Sequence, residues 1–276
     1  MIALHQSFKT PSPPLGGFVE RLWHLSDAPV HSRERILPGG TVELVINLQE
    51  DEIRIYDPER PECCRRFSGA VVSGVYGKPF VIDTREHASM LGVHFRPGGA
   101  FPIFQMPVSE LRDTHVDLET LWGAMAVELR ERLCELKSLS GGFQLLEETL
   151  VNRISFSPRF HPAVRFALDA FRHANPNLAV GHIAGQSGFS QRRFIEVFKQ
   201  EVGMSPKLFD RVRRFQQALA LAQGQSRPDW AQLALECGYC DQSHFINEFR
   251  CFSGLRPAQY VRQRSKRVLP NHVPIE

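Results

Sequence analysis

The chain has 276 residues, 42% of them hydrophobic and 23% charged, a globular balance that excludes a disordered or fibrous protein and suits about two domains. No run approaches the roughly 18 consecutive apolar residues of a membrane span, and Met1 to Lys9 lacks a charged leader followed by an apolar stretch; a cytoplasmic chain is expected. The net charge of +3 hides an asymmetry, because residues 1–156 hold 16 Lys+Arg against 21 Asp+Glu while residues 157–276 hold 17 against 9, and a basic half of this kind suits a polyanionic partner.

The first hundred residues read as strands. Phe18 to Leu25, Thr41 to Leu48, Ala70 to Val75, Phe80 to Asp83 and Met90 to Phe95 are rich in β-branched and aromatic residues, separated by Pro38-Gly39-Gly40, Asp57-Pro58, Gly77-Lys78-Pro79 and Pro97-Gly98-Gly99. Short strands at this spacing predict a small barrel or sandwich. From Pro107 to 156 the pattern turns helical, with Leu118, Leu121, Trp122, Met125, Leu129 and Leu133 three to four apart, and a second helix over Gln144 to Ile154 buries Leu145, Leu146 and Leu150. Ser155 to Pro162 reads as a linker.

Beyond His161 the chain repeats itself. Ile183-Ala184-x3-Gly188-Phe189 recurs 50 residues later as Leu233-Ala234-x3-Gly238-Tyr239, and Phe194-x3-Phe198-x4-Gly203-x2-Pro206 recurs 51 later as Phe245-x3-Phe249-x4-Gly254-x2-Pro257. In each copy a short helix ends at a glycine able to adopt positive φ, then Ser190 or Asp241 caps a second helix whose phenylalanines dock it on the first. That is a helix-turn-helix, twice. Between the copies Ser205-Pro206 starts a helix with an apolar stripe of Leu208, Val212, Phe215, Leu219 and Ala222, and Gly224 ends it. At about 18 residues and about 27 Å, such a spacer, with the modules' own widths, suits two recognition helices roughly 34 Å apart, the separation of successive major-groove turns.

These residues carry a family resemblance. Residues 161–263 resemble the AraC/XylS family of bacterial transcription regulators through Ile183-Ala184-x3-Gly188-Phe189-Ser190, Phe198-Lys199-x3-Gly203-x-Ser205-Pro206 and Gly238-Tyr239-x-Asp241-Gln242-Ser243-His244-Phe245 with Phe249, Gly254 and Pro257. One departure is Leu255-Arg256-Pro257, where the family usually has a small residue before the proline. The resemblance implies an α+β protein: an N-terminal barrel or sandwich with flanking helices over 1–156 for effector sensing or oligomerisation, a seven-helix double helix-turn-helix DNA-binding domain over 157–267, and a tail from 268. Leu37-Pro38-Gly39-Gly40 and Gly92-Val93-His94-Phe95-Arg96-Pro97-Gly98-Gly99 resemble a less studied subtype of such regulators. Implied partners are double-stranded DNA, RNA polymerase, a small-molecule effector and a second copy of the chain, with no membrane, cofactor or metal. Activation and repression are both open.

On the first recognition helix Phe194 and Phe198 mark the buried side, so Arg192, Ile195, Glu196 and Lys199 share another face, which is also the family's groove-facing one. Arg192 suits guanine and Ile195 a thymine methyl; Glu196 must accept from cytosine or pair with Arg192 or Lys199. The second helix presents Gln242, Ser243 and Asn247 to bases, Asn247 or Gln242 suiting adenine. Gln191, Arg193, Lys199, Lys207, Arg211, His244 and Arg250 are expected on phosphates, and Arg213, Arg214 and Arg262 are further candidates. Trp23, His24, His94 and Arg96 have the mixed character of an effector pocket.

Two other readings compete. His94, Arg96, His24 and Glu43 could gather in a barrel enzyme, yet form no metal or nucleophile spacing. A helical adaptor that has lost DNA binding would account for Glu196, but not for the basic C-terminal half. Cys237-x2-Cys240-x3-His244-x6-Cys251 has zinc-like spacing, but the framing Phe245 and Phe249 make helix-core thiols the plainer reading. Cys63-Cys64, between Glu62 and Arg65-Arg66, reads as a solvated loop.

Overall fold

The computed structural model describes residues 5–26, 33–60, 62–84, 89–154, 160–172, 185, 188–264 and 270–275. Ile183 and Ala184 of the first repeat copy, and most of the expected linker, lie outside the described residues.

Eleven strands are described: β1 (His5–Lys9), β2 (Val19–Ser26), β3 (Arg33–Ile36), β4 (Glu43–Asn47), β5 (Glu52–Tyr56), β6 (Cys64–Ser68), β7 (Ala70–Ser73), β8 (Phe80–Asp83), β9 (Ser89–Phe95), β10 (His115–Asp117) and β11 (His272–Ile275). They form two open antiparallel sheets, β1-β2-β9-β4-β7-β10 and β11-β3-β8-β5-β6. The period-two pleat sorts the first sheet's side chains. Leu22 and Leu44 both stand opposite Val93, and all three enter a large core completed by Leu129, Leu146 and Leu150. One residue along, Trp23 and Val45 both stand opposite Gly92 and join Ile53, Phe67, Val71 and Met90 in a smaller cluster between the sheets. The sandwich expectation holds.

Two expectations need correction. The stretch after Pro107 is not wholly helical, since β10 pairs with β7 there. The stripe from Leu118 to Leu133 is two helices, α2 (Leu118–Trp122) and α3 (Ala124–Glu135), because Gly123 between them sits at φ +60, outside helical space. The tail carries β11, which adds to the edge of β3 in the N-terminal half, with Ile275 opposite Arg33 and His272 opposite Ile36. The short α1 (Phe101–Phe104) and the longer α4 (Leu139–Ile154) complete the N-terminal helices.

Six helices are described after residue 160: α5 (Pro162–Arg172), α6 (Gln191–Val202), α7 (Pro206–Ala222), α8 (Trp230–Glu236), α9 (Gln242–Ser253) and α10 (Pro257–Gln263). Fully buried Phe194, Phe198, Phe215, Phe245, Phe249 and Tyr260 hold them together. Pairs such as Phe171–Phe209 at 5.5 Å and Phe215–Phe249 at 5.3 Å meet edge to face, a favoured aromatic geometry. The helical part seats against the N-terminal half, where a Cβ on Gly203 would lie 2.6 Å from Cγ2 of Val75, in the segment that follows β7, and Gln216 Nε2 donates to the Pro38 carbonyl. Among the described residues no helix is long and apolar enough to cross a membrane.

Candidate nucleic-acid interface and interdomain cavity

The turn and second helix of the two repeat copies are built the same way. In the first, the Ser190 hydroxyl accepts the Arg193 N–H at 3.2 Å and α6 ends at Gly203 with φ +94. In the second, the Asp241 carboxylate accepts the His244 N–H at 2.7 Å and α9 ends at Gly254 with φ +71. Each cap satisfies an otherwise orphaned amide and each left-handed glycine closes the last turn, so the start and end of both helices are set locally. The turns that precede them hold Gly188 and Gly238 at φ +70 and +74.

Burial then assigns the faces. Phe194, Val197 and Phe198 of α6 point inward, while Gln191, Arg192, Arg193, Glu196 and Lys199 are exposed and Ile195 is half-buried. On α9, Phe245, Glu248 and Phe249 are buried, and Gln242, Ser243, Asn247 and Arg250 are exposed. Every expected base-contacting position is therefore at least partly accessible. Glu196 lies 3.3 Å from Arg192 and 3.7 Å from Arg193, so its charge has two partners on its own helix. The 17-residue α7 between the modules, capped by Ser205 with Pro206 in its first turn, is about 26 Å long.

The phosphate candidates divide. Lys207, Arg250 and Arg262 are exposed. His244 is half-buried, edge-on to Tyr239 and 3.7 Å from the Glu248 carboxylate. Arg211 is a different case: its Nε donates to buried Glu248 and its guanidinium lies over Phe252, so packing engages it first. Arg213 and Arg214 are likewise held, both by Asp210, and Arg214 also by the Gly238 carbonyl and the Tyr239 ring.

Of the thiols with zinc-like spacing, Cys237 is buried and pushed up to about 11 by desolvation, whereas Cys240 and Cys251 are exposed. Among the described residues no three His, Cys, Asp or Glu side chains gather as metal ligands. Cys63 and Cys64 are exposed, and Cys64 opens the edge strand β6 rather than lying in a loop.

Behind the helical part lies a cavity of about 630 Å³. Its apolar floor comes from both sheets, with Ile53, Val71 and Met90, and its roof from Phe209, Val212 and Gln216 of α7 and from Pro270 to His272. Trp23, His24 and His94 are among its lining residues. Arg96 is not; its Nε instead donates to the Gly16 carbonyl at 2.9 Å. The remaining wall residues of note, Tyr76, His115 and His272, come from segments whose convergence needs the tertiary fold.

At the polar end two carboxylates meet histidines. His94 Nδ1 lies 2.9 Å from Glu43 and His272 Nδ1 2.7 Å from Glu34. Burial raises the Glu43 carboxyl, but the hydrogen bond and charge of His94, with His272 and Arg21, outweigh it and hold the group below its usual value. Burial likewise lowers His272, and bonding to Glu34 with the charges of Glu34 and Glu43 raises it on balance. At the apolar end His115 is pushed down to about 3, mainly by burial, so it is neutral. Its Nδ1 meets the Tyr76 hydroxyl, whose proton burial holds more tightly than usual. With the phenol as donor to Nδ1, the ring proton sits on Nε2. Among the described residues neither His115 Nε2 nor Trp23 Nε1 has a partner, and each such buried donor costs about 1–3 kcal/mol.

Comparison with known proteins adds to this geometry. Residues 167–263 match the family model of a helix-turn-helix domain, and residues 8–117 match a domain of unknown function. An uncharacterized HTH-type transcriptional regulator of Haemophilus influenzae is 36% identical over 86 residues, 31% of this chain and 28% of that protein. A probable transcriptional regulator, LumQ of Photobacterium leiognathi, is 27% identical over 89 residues, 32% of this chain and 36% of that one. The alignments thus span about a third of these relatives. Among solved structures, the C-terminal domain of AraT, a response regulator from Geobacillus stearothermophilus, is 27% identical, covering 39% of this chain and 89% of that one with a TM-score of 0.34. Apo ToxT K231A from Vibrio cholerae is 10% identical, covering 87% and 97%, with a TM-score of 0.46. Residues 167–263 are a helix-turn-helix domain of the AraC type, the kind carried by transcriptional regulators.

Proposed function

We propose that the chain is a sequence-specific DNA-binding regulator in which one protomer reads two successive major-groove segments, and in which residues 1–156 govern residues 157–267 through a small-molecule effector or self-association. The observation that carries it is the duplicated recognition unit. Two capped helices, offset by 51 residues at their phenylalanines, each turn one polar face outward from a common core. Arg192, Ile195 and Glu196 are the base readers of the first module, and Gln242, Ser243 and Asn247 those of the second. Lys199, Lys207 and Arg250, with Gln191 and Arg193 at the start of α6, supply sequence-independent contacts to phosphate.

Pairing of Glu196 with two arginines weakens the case for an adaptor that has lost DNA binding. A helix carrying an isolated carboxylate would repel phosphate, whereas a matched one costs little at the interface and can accept from cytosine N4.

Selection of bound duplexes from a random library by the full chain tests the reading. Two short motifs about one helical turn apart are expected, the first blurred by Arg192→Ala and the second by Asn247→Ala. Absence of any enriched motif at low salt would overturn it.

A further inference from the structure

We propose that the C-terminal strand β11 is a clasp that fastens the second recognition module to the N-terminal half and so fixes the orientation of α9 relative to α6. The two modules meet the N-terminal half differently. The first is seated directly, since α6 packs against Val108–Leu111 and against α1. The second is joined through the tail, where α10 packs against β11 and β11 pairs with β3.

Each link of that connection is built from particular residues. In the tail Val273 and Ile275 alternate with His272 and Pro274, the period-two pattern of a strand with two different faces. His272 and Ile36 stand opposite each other and both line the cavity, and His272 Nδ1 lies 2.7 Å from Glu34. Val273, opposite Arg35, takes the other face and is fully buried in the large core. The Arg35 guanidinium lies 4.0 Å from the place of a Cβ on Gly254, the residue that ends α9. The Leu37 N–H lengthens the ladder by donating to the Asn271 carbonyl at 2.9 Å. One residue earlier, the Pro270 carbonyl accepts the Tyr260 hydroxyl at 2.9 Å. Tyr260 is itself fully buried, and its ring meets Phe249 of α9 edge-on at 5.5 Å. Contacts therefore run without a break from β3 through β11, Pro270 and Tyr260 to the second recognition helix.

Without β11, β3 would be a sheet edge with unpaired backbone groups, and the second module would lose the strand that joins it to the sheet. A module fixed both by α7 and by the clasp presents α9 in one orientation, so DNA whose second motif is rotated is rejected; preorganisation of this kind gives affinity for one geometry. This consequence rests on the proposed two-groove reading, yet the clasp itself is read without DNA, so the failure of either is distinguishable.

The test compares the full chain with one ending at residue 269 and with Val273→Asp, which keeps the tail but places a charge in the core; circular dichroism verifies that both are folded. In hydrogen–deuterium exchange without DNA, both are expected to exchange about tenfold or more faster in β3, α9 and α10, and within about twofold of wild type in α6 and β9. Tyr260→Phe keeps the ring, removes the hydroxyl bonded to Pro270 and should speed exchange in α10 about fivefold. Exchange in α9 and α10 unchanged by truncation, or α6 accelerated to the same extent, would overturn the proposal. One base pair inserted between the selected motifs turns the second by about 35°. That insertion is expected to cost the full chain about tenfold or more in affinity and the truncated chain about threefold or less. Equal losses would overturn the role of the clasp in orientation, whereas the absence of any selected motif would overturn the two-groove reading and leave the exchange result to decide the clasp.

Discussion

Arg192 and Glu196 stand one turn apart on the exposed face of α6, with Arg192 Nε 3.3 Å from Glu196 Oε1. An exposed pair at this spacing contributes only about 0.3–0.5 kcal/mol to the helix, so its importance lies in what it presents to DNA. Glu196→Gln removes the carboxylate and releases two arginines. Affinity for non-specific duplex is expected to rise about three- to tenfold at low salt with a steeper salt dependence. Competition titrations at two salt concentrations check this, and unchanged or weaker binding would contradict it.

The arginines of α7 and the lysine at its start should behave differently. Arg211→Ala leaves Glu248, with a side chain only 9% exposed, with His244 at 3.7 Å as its remaining neighbour able to carry a positive charge. A loss of about 3 kcal/mol in stability is expected, read from the denaturant midpoint without DNA. Lys207→Ala should leave that midpoint unchanged and lower the salt slope of DNA binding by about one.

Two glycines close the two recognition helices, yet their neighbourhoods differ. At Gly254 an added methyl finds only Arg35 atoms at 4.0 Å, whereas at Gly203 it meets Val75 Cγ2 at 2.6 Å and Val108 Cγ1 at 2.9 Å. Gly254→Ala should therefore cost only the left-handed strain of about 1–2 kcal/mol. Gly203→Ala should cost more, because the helical part must shift away from Val75 and Val108. Thermal denaturation of both variants decides, and equal costs would mean that this contact is not part of the folded state in solution.

Glu201 carries a pH dependence. Burial raises its carboxyl to about 7 from 4.5, against the lowering effect of the His161 N–H it accepts. Below about pH 4.5 the group is protonated in the folded and unfolded chain alike. As the pH rises toward 7 the unfolded chain ionises first, and stability falls until the penalty is complete above 7, at about 3 kcal/mol. Glu201→Gln keeps an acceptor for His161 and removes the charge. It should melt higher than wild type at pH 8 and match it near pH 4.5, whereas a variant less stable at pH 8 would contradict the assignment.

Local chemistry made the helical part legible. Ser190, Gly203, Asp241 and Gly254 mark helix ends by their own hydrogen bonds and torsions, and the phenylalanines repeat at helical spacing. The sheets were only partly so. β6 (Cys-Arg-Arg-Phe-Ser) is nearly all polar because it is an edge strand with one side chain to bury. β11 carries Pro274, tolerated because its strand also lies at an edge. Arg211 could be seen as basic, but its partner Glu248 lies 37 residues away. The cavity was the least visible: Gln216 and Pro38, which meet at its rim, are 178 residues apart.

Two modules on one rigid spacer make a geometric demand on DNA. The direct test is the affinity of the full chain for its selected duplex with 5 base pairs inserted between the two motifs. About half a helical turn carries the second motif to the opposite face, so α7 cannot place α6 and α9 in both grooves. Affinity is expected to drop to that of a duplex carrying either motif alone, and an insertion that leaves affinity unchanged would contradict two-groove reading by a single chain.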